Sequence, residues 1–325
     1  MLEPPGCAYM PPMSSKFYYD GITLDRAHHL RTDEKWLAEN LSADPSGDLE
    51  GKNLRIIPVW RSKSLISTSG QVKAAILSGQ AAEQVRQNAA TLVFLGLEGE
   101  TIYCAADLSH ADEPHSLGLP ADTAFEDLRG LATSLDPIDA GYLAYARAII
   151  HWHLGHKYCG ICGSETFAGR GGHERRCANP DCARIHFPRT DPAVIMLVTH
   201  PTEEKCLLGH NSRFRGLTYS TIAGFVEPGE MLEQAVAREV FEETNIEVVD
   251  VTYQASQPWP FPASIMLGFR ARAVTTEIIC HDQELLDARW FSRDDVHEMD
   301  KSGDSLPPSN LSISRWLIDN WLFEK

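Results

Sequence analysis

The run Gly224-x₅-Glu230-x₇-Arg238-Glu239-Val240-Phe241-Glu242-Glu243 constrains this chain more than any other stretch. Leu232, Val236 and Val240 recur at helical spacing, which predicts an amphipathic helix over Glu230–Glu243. Glu239, Glu242 and Glu243 then stand at i, i+3 and i+4, so their carboxylates share one helix face. Like charges at that spacing cost roughly 0.2–0.5 kcal/mol per pair, so helix stability does not explain them. An acidic solvent face is the ordinary reason for a glutamate-rich helix. The fixed glycine, Glu230 and Arg238 around the triad argue instead for oxygen ligation of a hard cation such as Mg²⁺ or Mn²⁺.

A second constellation lies upstream. Cys159-x₂-Cys162, fourteen residues, then Cys177-x₄-Cys182 has the two-plus-two spacing of a zinc ribbon, with Gly160 and Gly163 permitting tight knuckles. Four unrelated buried cysteines are the plain alternative, and the spacing argues against it. A zinc held by four protein thiolates is structural, because a catalytic zinc keeps an open position. His151, His153 and His156 read as polar positions around a helix end, not as ligands. Lys157, Arg170, Arg175, Arg176, Arg184 and Arg189 outnumber Glu165, Glu174 and Asp181, a bias that reads most simply as a solvated face. Contact with a phosphate-bearing ligand or an RNA end is the sharper alternative.

The formal charge of −16 opposes a protein that coats nucleic acid by bulk electrostatics. It also requires something cationic to neutralise an anionic substrate, and a divalent ion would do so. Cys7, Cys104, Cys206 and Cys280 stand apart from the cluster, so the eight cysteines favour metal over a disulfide framework. No apolar run approaches the ~18 residues of a membrane span. Met1–Tyr19 carries no signal-peptide pattern and reads as a loose leader, and Phe323-Glu324-Lys325 matches neither a peroxisomal nor a prenylation signal, which leaves the cytoplasm as the default location.

With 325 residues there is room for two cores and a small third module. Leu54–Trp60, Thr91–Leu97 and Thr101–Ala105 are strand candidates, the last two joined through Glu98-Gly99-Glu100. Asp136-Pro137 opens a connector helix carrying Ala140, Leu143, Ala144, Arg147 and Ile150, with Gly155 its stop. Further on, Val194–Val198 and Ile265–Val274 read as strands and Ile313–Leu322 as a closing helix. No internal repeat is evident. The expected organisation is an N-terminal α+β domain with its connector helix (1–155), a zinc ribbon (156–188) and an α/β domain (189–325). Ser256-Gln257-Pro258-Trp259-Pro260-Phe261-Pro262-Ala263-Ser264 reads as a stiff, extended segment presenting Trp259 and Phe261.

The glutamate run resembles the Nudix box, G-x₅-E-x₇-R-E-U-x-E-E-x-G-U with U aliphatic, matching every fixed position except the last glycine, here Asn245. Asn tolerates the left-handed conformation that position favours. With the box, the Ser256–Ser264 segment resembles the SQPWPFPxS motif of the NADH pyrophosphatase family. The cysteine cluster, His186-Phe187-Pro188-Arg189-Thr190-Asp191-Pro192 and the order of modules fit as well. The resemblance covers residues 140–325 and, more loosely, the N-terminal module.

It implies a Nudix α/β/α sandwich with a mixed sheet. It also implies Mg²⁺ or Mn²⁺ at Glu239, Glu243, Glu284 and the Ala223 carbonyl, with Glu239, Glu242 and Glu243 catalytic. In the same pattern Glu230 and Arg238 brace the loop and helix. Dinucleotide contacts would come from Gln257, Pro258, Trp259, Pro260, Phe261, Pro262, Ala263, Ser264, Ser314, Phe187 and Phe225. Trp259 and Phe225 are candidates to sandwich a flat base. Phe187 stands where many relatives carry tyrosine, which removes a hydroxyl contact. The implied activity is hydrolysis of NADH or NAD⁺ to nicotinamide mononucleotide and AMP by a homodimer. Removal of an NAD cap from RNA by the same chemistry is the alternative. A non-catalytic Nudix-fold binding module is another, against which the intact box glutamates speak.

Overall fold

The computed structural model describes residues 17–41, 53–131, 134–212, 216–280, 284–302, 306–308 and 311–324. Most of the expected leader, together with Gln283 and Lys325, lies outside them. The chain divides into one unit of Met1–Arg189 with Pro260–Ala263 and another of Thr190–Trp259 with Ser264–Lys325.

The first unit contains α1 (Glu34–Leu41), β1 (Leu54–Trp60), β2 (Lys63–Ser67), β3 (Lys73–Ala74), α2 (Gly79–Asn88), β4 (Thr91–Glu98) and β5 (Thr101–Asp107). Then come β6 (Thr123–Glu126), α3 (Leu128–Leu131), α4 (Pro137–Gly155), β7 (Thr166–Gly169), β8 (Glu174–Cys177) and β9 (Ile185–His186). One mixed sheet runs β3-β2-β1-β5-β4, with β6 on β2 and a parallel pair between β1 and β5. Ile56, Leu65, Val85 and Phe94 form its dry core. Helix α4 starts and stops where the sequence places it. The Asp136 carboxylate accepts the Ile138 N–H at 2.9 Å, Pro137 fills the first position, and Gly155 is the last helical residue. Strands β7, β8 and β9 form the small sheet around the cysteines.

The second unit contains β10 (Asp191–Thr199), β11 (Lys205–Asn211), β12 (Ile222–Phe225), α5 (Leu232–Thr244), β13 (Val248–Trp259), β14 (Ser264–Ala273), β15 (Leu285–Ser292), α6 (Arg293–Ser302) and α7 (Ile313–Phe323). Its mixed sheet runs β13-β14-β10-β11-β15, with β12 on β10 and a parallel pair between β10 and β14. Val194, Met196 and Val198 face α5 through Val236 and Val240. The opposite face packs against α7.

The two sheets share a plan that the sequence does not announce. In the first unit β4-β5-β1-β2 lie side by side; in the second, β13-β14-β10-β11 do so in the same chain order. A helix precedes the edge strand in both, α2 before β4 and α5 before β13. The topology therefore repeats although no repeat is visible among the residues. Helix α2 carries a single glutamate, Glu83, and that side chain is spent on Arg86 and Gln87, so the acidic face is not repeated.

Two local expectations need correction. Helix α5 begins at Leu232, not Glu230, because the Glu230 carboxylate folds back to the Glu227 N–H at 2.9 Å and to Arg238. The proline-rich segment is extended, but its first half is hydrogen-bonded sheet: Ser256–Trp259 close β13 opposite β14. Proline is tolerated at position 258 because β13 is an edge strand.

Candidate active site

Helix α5 brings its acidic face against the end of β12, and the contact depends on glycine. A β-carbon on Gly224 would lie 1.9 Å from the carboxyl carbon of Glu239, so the carboxylate occupies the space a side chain would take. Arg238 fixes the surrounding charges. It binds Glu230 at 2.7 Å, Glu239 at 2.9 Å, Glu242 at 2.9 Å and the Phe225 carbonyl at 2.9 Å. One guanidinium thus ties the box loop, the strand end and two members of the Glu239, Glu242 and Glu243 triad together. Asn245 ends the helix in the left-handed conformation, φ 60°, its N–H on the Phe241 carbonyl at 2.7 Å.

Desolvation raises the Glu239 carboxyl above its ordinary value, Arg238 opposes the rise, and Glu242 and Glu284 add to it. The charge of Glu284 is therefore felt at Glu239, although the two are far apart in sequence. Residue 284 immediately precedes β15, its carbonyl accepting the Ser212 N–H at 3.3 Å. Glu243 is buried at 5% exposure, and Ala223 pairs with Ile195 inside the sheet. Glu239 is a partly dry carboxylate in the field of Glu242 and Glu284, an acidic setting that suits a hard divalent cation.

The expected substrate residues separate into groups. Gln257, Met266, Ala193 and Phe225 form one row across β13, β14, β10 and β12. Trp259 is two residues beyond Gln257, so it shares the face of Phe225. Three strand spacings put the two backbones about 14 Å apart, so both rings must lean inwards to grip one flat base. Phe225 is 60% exposed and Trp259 half-buried. Pro258 is exposed and Ser264 buried. Gln257 and Ser314 are dry, with their polar atoms engaged by the protein. The Gln257 amide donates to the Leu311 carbonyl at 2.9 Å and accepts the Ile313 N–H at 2.8 Å. The Ser314 hydroxyl oxygen accepts the Thr221 N–H at 3.1 Å and lies 2.9 Å from the Thr221 hydroxyl.

Pro260, Phe261, Pro262 and Ala263 belong to the first unit, as does Phe187, which is 53% exposed. There the Phe261 ring meets Tyr19 and the guanidinium groups of Arg129 and Arg147, whose carbons lie 4.8 and 5.1 Å from its centroid. Arg147 also donates to the Ser62 carbonyl at 2.9 Å and to the Pro260 carbonyl. Its signal in the sequence was a charged residue on the buried stripe of α4.

The four cysteines are the set whose donor atoms all approach within 4.8 Å among the described residues. Cys159 and Cys182 are 3.8 Å apart and Cys162 and Cys177 3.4 Å, close to the ~3.8 Å edge of a thiolate tetrahedron with bonds of about 2.3 Å. Hydrogen bonds from Ser164 draw the Cys162 thiol down, whereas desolvation pushes the Cys177 thiol up. His186 Nε2 lies 3.3 Å from Cys159 Sγ, where it can donate to a thiolate. The ribbon's basic bias is not wholly a solvated face. Arg175 is buried and binds Thr166 and the Nδ1 of His153, and the buried Glu174 pairs with Arg170 and Arg176. His153 is likewise buried, its Nε2 2.8 Å from the Gly172 carbonyl, not a loose helix-end residue.

The fold and the box geometry define a Nudix-type protein, and comparison with known proteins agrees. A family model described as NUDIX domain matches residues 189–309, and one described as NADH pyrophosphatase-like rudimentary NUDIX domain matches 54–152. The second description fits the repeated strand order of the first unit. A Mycobacterium bovis protein named NAD-capped RNA hydrolase NudC is 35% identical over 312 residues, 92% of this chain and 93% of its own length. The Stutzerimonas stutzeri protein of the same name is 41% identical over 222 residues, 66% of this chain and 76% of its own. Human NAD-capped RNA hydrolase NUDT12 is 43% identical over 194 residues, 57% of this chain. The chain spans only 42% of that human relative's length. The chain belongs to the NADH pyrophosphatase family of Nudix hydrolases.

Proposed function

We propose that this protein hydrolyses the diphosphate of NADH or NAD⁺ to nicotinamide mononucleotide and AMP. The observation that carries this reading is the Glu239 carboxylate seated under Gly224, clamped by Arg238 and electrostatically joined to Glu242 and Glu284. Glu239, Glu243, Glu284 and the Ala223 carbonyl would hold Mg²⁺ or Mn²⁺. Such ions, when bound, neutralise diphosphate oxygens and lower the pKa of an attacking water. Glu242 or Glu243 takes the proton of that water as its oxygen bonds to phosphorus and the bridging P–O bond breaks. Arg238 keeps the glutamates from swinging away before substrate arrives. Phe225 and Trp259 would offer ring faces to the bases; the family resemblance adds Gln257, Pro258, Ser264 and Ser314 from the same unit as expected contacts, and names Phe187, Pro260, Phe261, Pro262 and Ala263 besides.

The same reading assigns Zn²⁺ to Cys159, Cys162, Cys177 and Cys182, since four thiolates in a tetrahedron suit that ion and leave it no open position. It keeps the three-part organisation of residues 1–155, 156–188 and 189–325, a homodimer, and a cytoplasmic location. No helix among the described residues is long and apolar enough to cross a membrane.

NAD-capped RNA is the second substrate reading, favoured by the names of the relatives. Turnover of NADH, NAD⁺, ADP-ribose, diadenosine diphosphate and NAD-capped RNA in Mg²⁺ or Mn²⁺ ranks the two. Glu243→Gln should reduce turnover by orders of magnitude with the fold intact. Full wild-type activity in chelator without added divalent ion would contradict the metal mechanism.

A further inference from the structure

A cavity of about 600 Å³ opens within the first unit, between α1, β4 and the hairpin of β7 and β8. Its lining is unusual for a chain of charge −16, setting Arg31, Arg170 and Arg176 against the lone carboxylate of Glu34. Phe167 and Arg176 stand opposite each other across β7 and β8, so both project from one face of the hairpin. Beneath them Glu174 is fully buried in the space that Gly169 leaves, where a β-carbon would lie 3.0 Å from its Oε1. Arg170 and Arg176 both reach Glu174 through Nε. Their Nη groups meet no other protein group among the described residues, and the two side chains remain 51% and 46% exposed. Arg31 forms no ion pair among the described residues, and its Nε and Nη2 are sealed from solvent without a partner. Burial holds it below its ordinary value, and the charge of Arg26 adds to the depression. Leu37 and Leu41, one turn apart on α1, and Leu92 of β4 supply apolar wall, while Phe167 offers an exposed ring. Gly171 and Gly172 keep the floor free of side chains: they are left-handed at φ 60° and 90°, and a β-carbon on Gly172 would lie 2.8 Å from Val93.

We propose that this cavity binds a nucleoside 5′-phosphate, free or as one residue of single-stranded RNA, with the phosphate on Arg170 and Arg176 and the base against Phe167. The site belongs wholly to the first unit and is independent of the diphosphatase reading. A guanidinium tied through Nε to a buried carboxylate is already ordered, and its free Nη edge suits a phosphate. Two such groups converge on Glu174, and one carboxylate cannot neutralise both. The unpaired charge of Arg31 adds to the positive field of the cavity. Apolar wall and an exposed ring beside these cations match a ligand that is flat at one end and anionic at the other. The volume lies within the roughly 300–1,000 Å³ usual for small-molecule sites.

The test is amide hydrogen exchange of the full, zinc-replete chain, without added Mg²⁺ or Mn²⁺, titrated with AMP, 5′-phosphorylated pentaadenylate or inorganic phosphate. AMP should protect residues 31–41 and 167–176, and the concentration dependence of that protection gives the affinity of this site alone. Phe167→Ala should weaken it about tenfold, the scale of one base–aromatic stack. Arg176→Gln, which removes a charged donor, should weaken it at least as much. Melting temperatures identify which variants remain folded, and Phe167→Ala, a change at an exposed ring, keeps the test decisive if Arg176→Gln does not fold. Pentaadenylate protecting the same segments at least tenfold more tightly than AMP would identify an RNA strand as the source of the nucleotide. Equal or weaker binding would identify the free nucleotide. No protection of these segments by AMP or pentaadenylate, affinity unchanged in the folded variants, or inorganic phosphate binding as tightly as AMP would overturn the proposal.

Discussion

The Glu239 carboxylate lies where the side chain of residue 224 would otherwise be, its carboxyl carbon 1.9 Å from the position of a β-carbon on Gly224. Strand and helix meet there with no room to spare. The glycine of the box is needed as an absence of atoms, and Arg238 completes the arrangement by holding Glu239 from the side.

Gly224→Ala should therefore displace Glu239 while leaving the ligand set chemically intact. Turnover is expected to fall about a hundredfold or more, the usual consequence of moving a catalytic group by an ångström. Affinity for Mn²⁺ should fall alongside it. Isothermal titration with Mn²⁺ beside turnover measurements checks this, and wild-type values for both would show that Glu239 needs no such seat.

The box itself was legible because its residues are local: one helix period and a fixed count to the glycine identify the acidic face. The reason for the glycine was not, since it depends on α5 packing against a strand end. Long-range pairing hid other features for the same reason. The three prolines around Trp259 predict an extended segment but cannot reveal that Ser256–Trp259 pair with β14. Gln257 resembles a ligand residue by motif, and only its burial shows both amide ends engaged. The repeated strand order of the first unit left no mark in the residues, because α2 lacks the acidic face that would have announced it.

The cysteine centre is predicted to carry about one Zn²⁺ per chain, whose binding energy contributes to folding. Cys177→Ser should lower the melting temperature and the zinc content together, because the lost thiolate is one of four at mutual distances such as 3.4 Å to Cys162. Elemental analysis and calorimetry on protein prepared without chelators check it. Unchanged stability and no zinc in the wild type would mean the cluster is simply a set of thiols.

Acid should destabilise the first unit through two histidines. Burial pushes His153 and His173 down from 6.5 to about 4. Unfolded protein then binds protons that the folded protein refuses. The stability conferred by these neutral rings is complete above about pH 6.5 and lost progressively as pH falls towards 4. Melting curves across that window should fall more steeply for wild type than for the His153→Gln/His173→Gln variant. Parallel slopes would show that neither ring is held neutral.

The central claim is tested most directly by the products formed from NADH in ¹⁸O-labelled water with Mg²⁺ or Mn²⁺. Cleavage of the phosphoanhydride predicts AMP and reduced nicotinamide mononucleotide in equal amounts, one of them carrying a single ¹⁸O in its phosphate. Free nicotinamide, or NADH left intact by zinc-replete protein, would contradict the account.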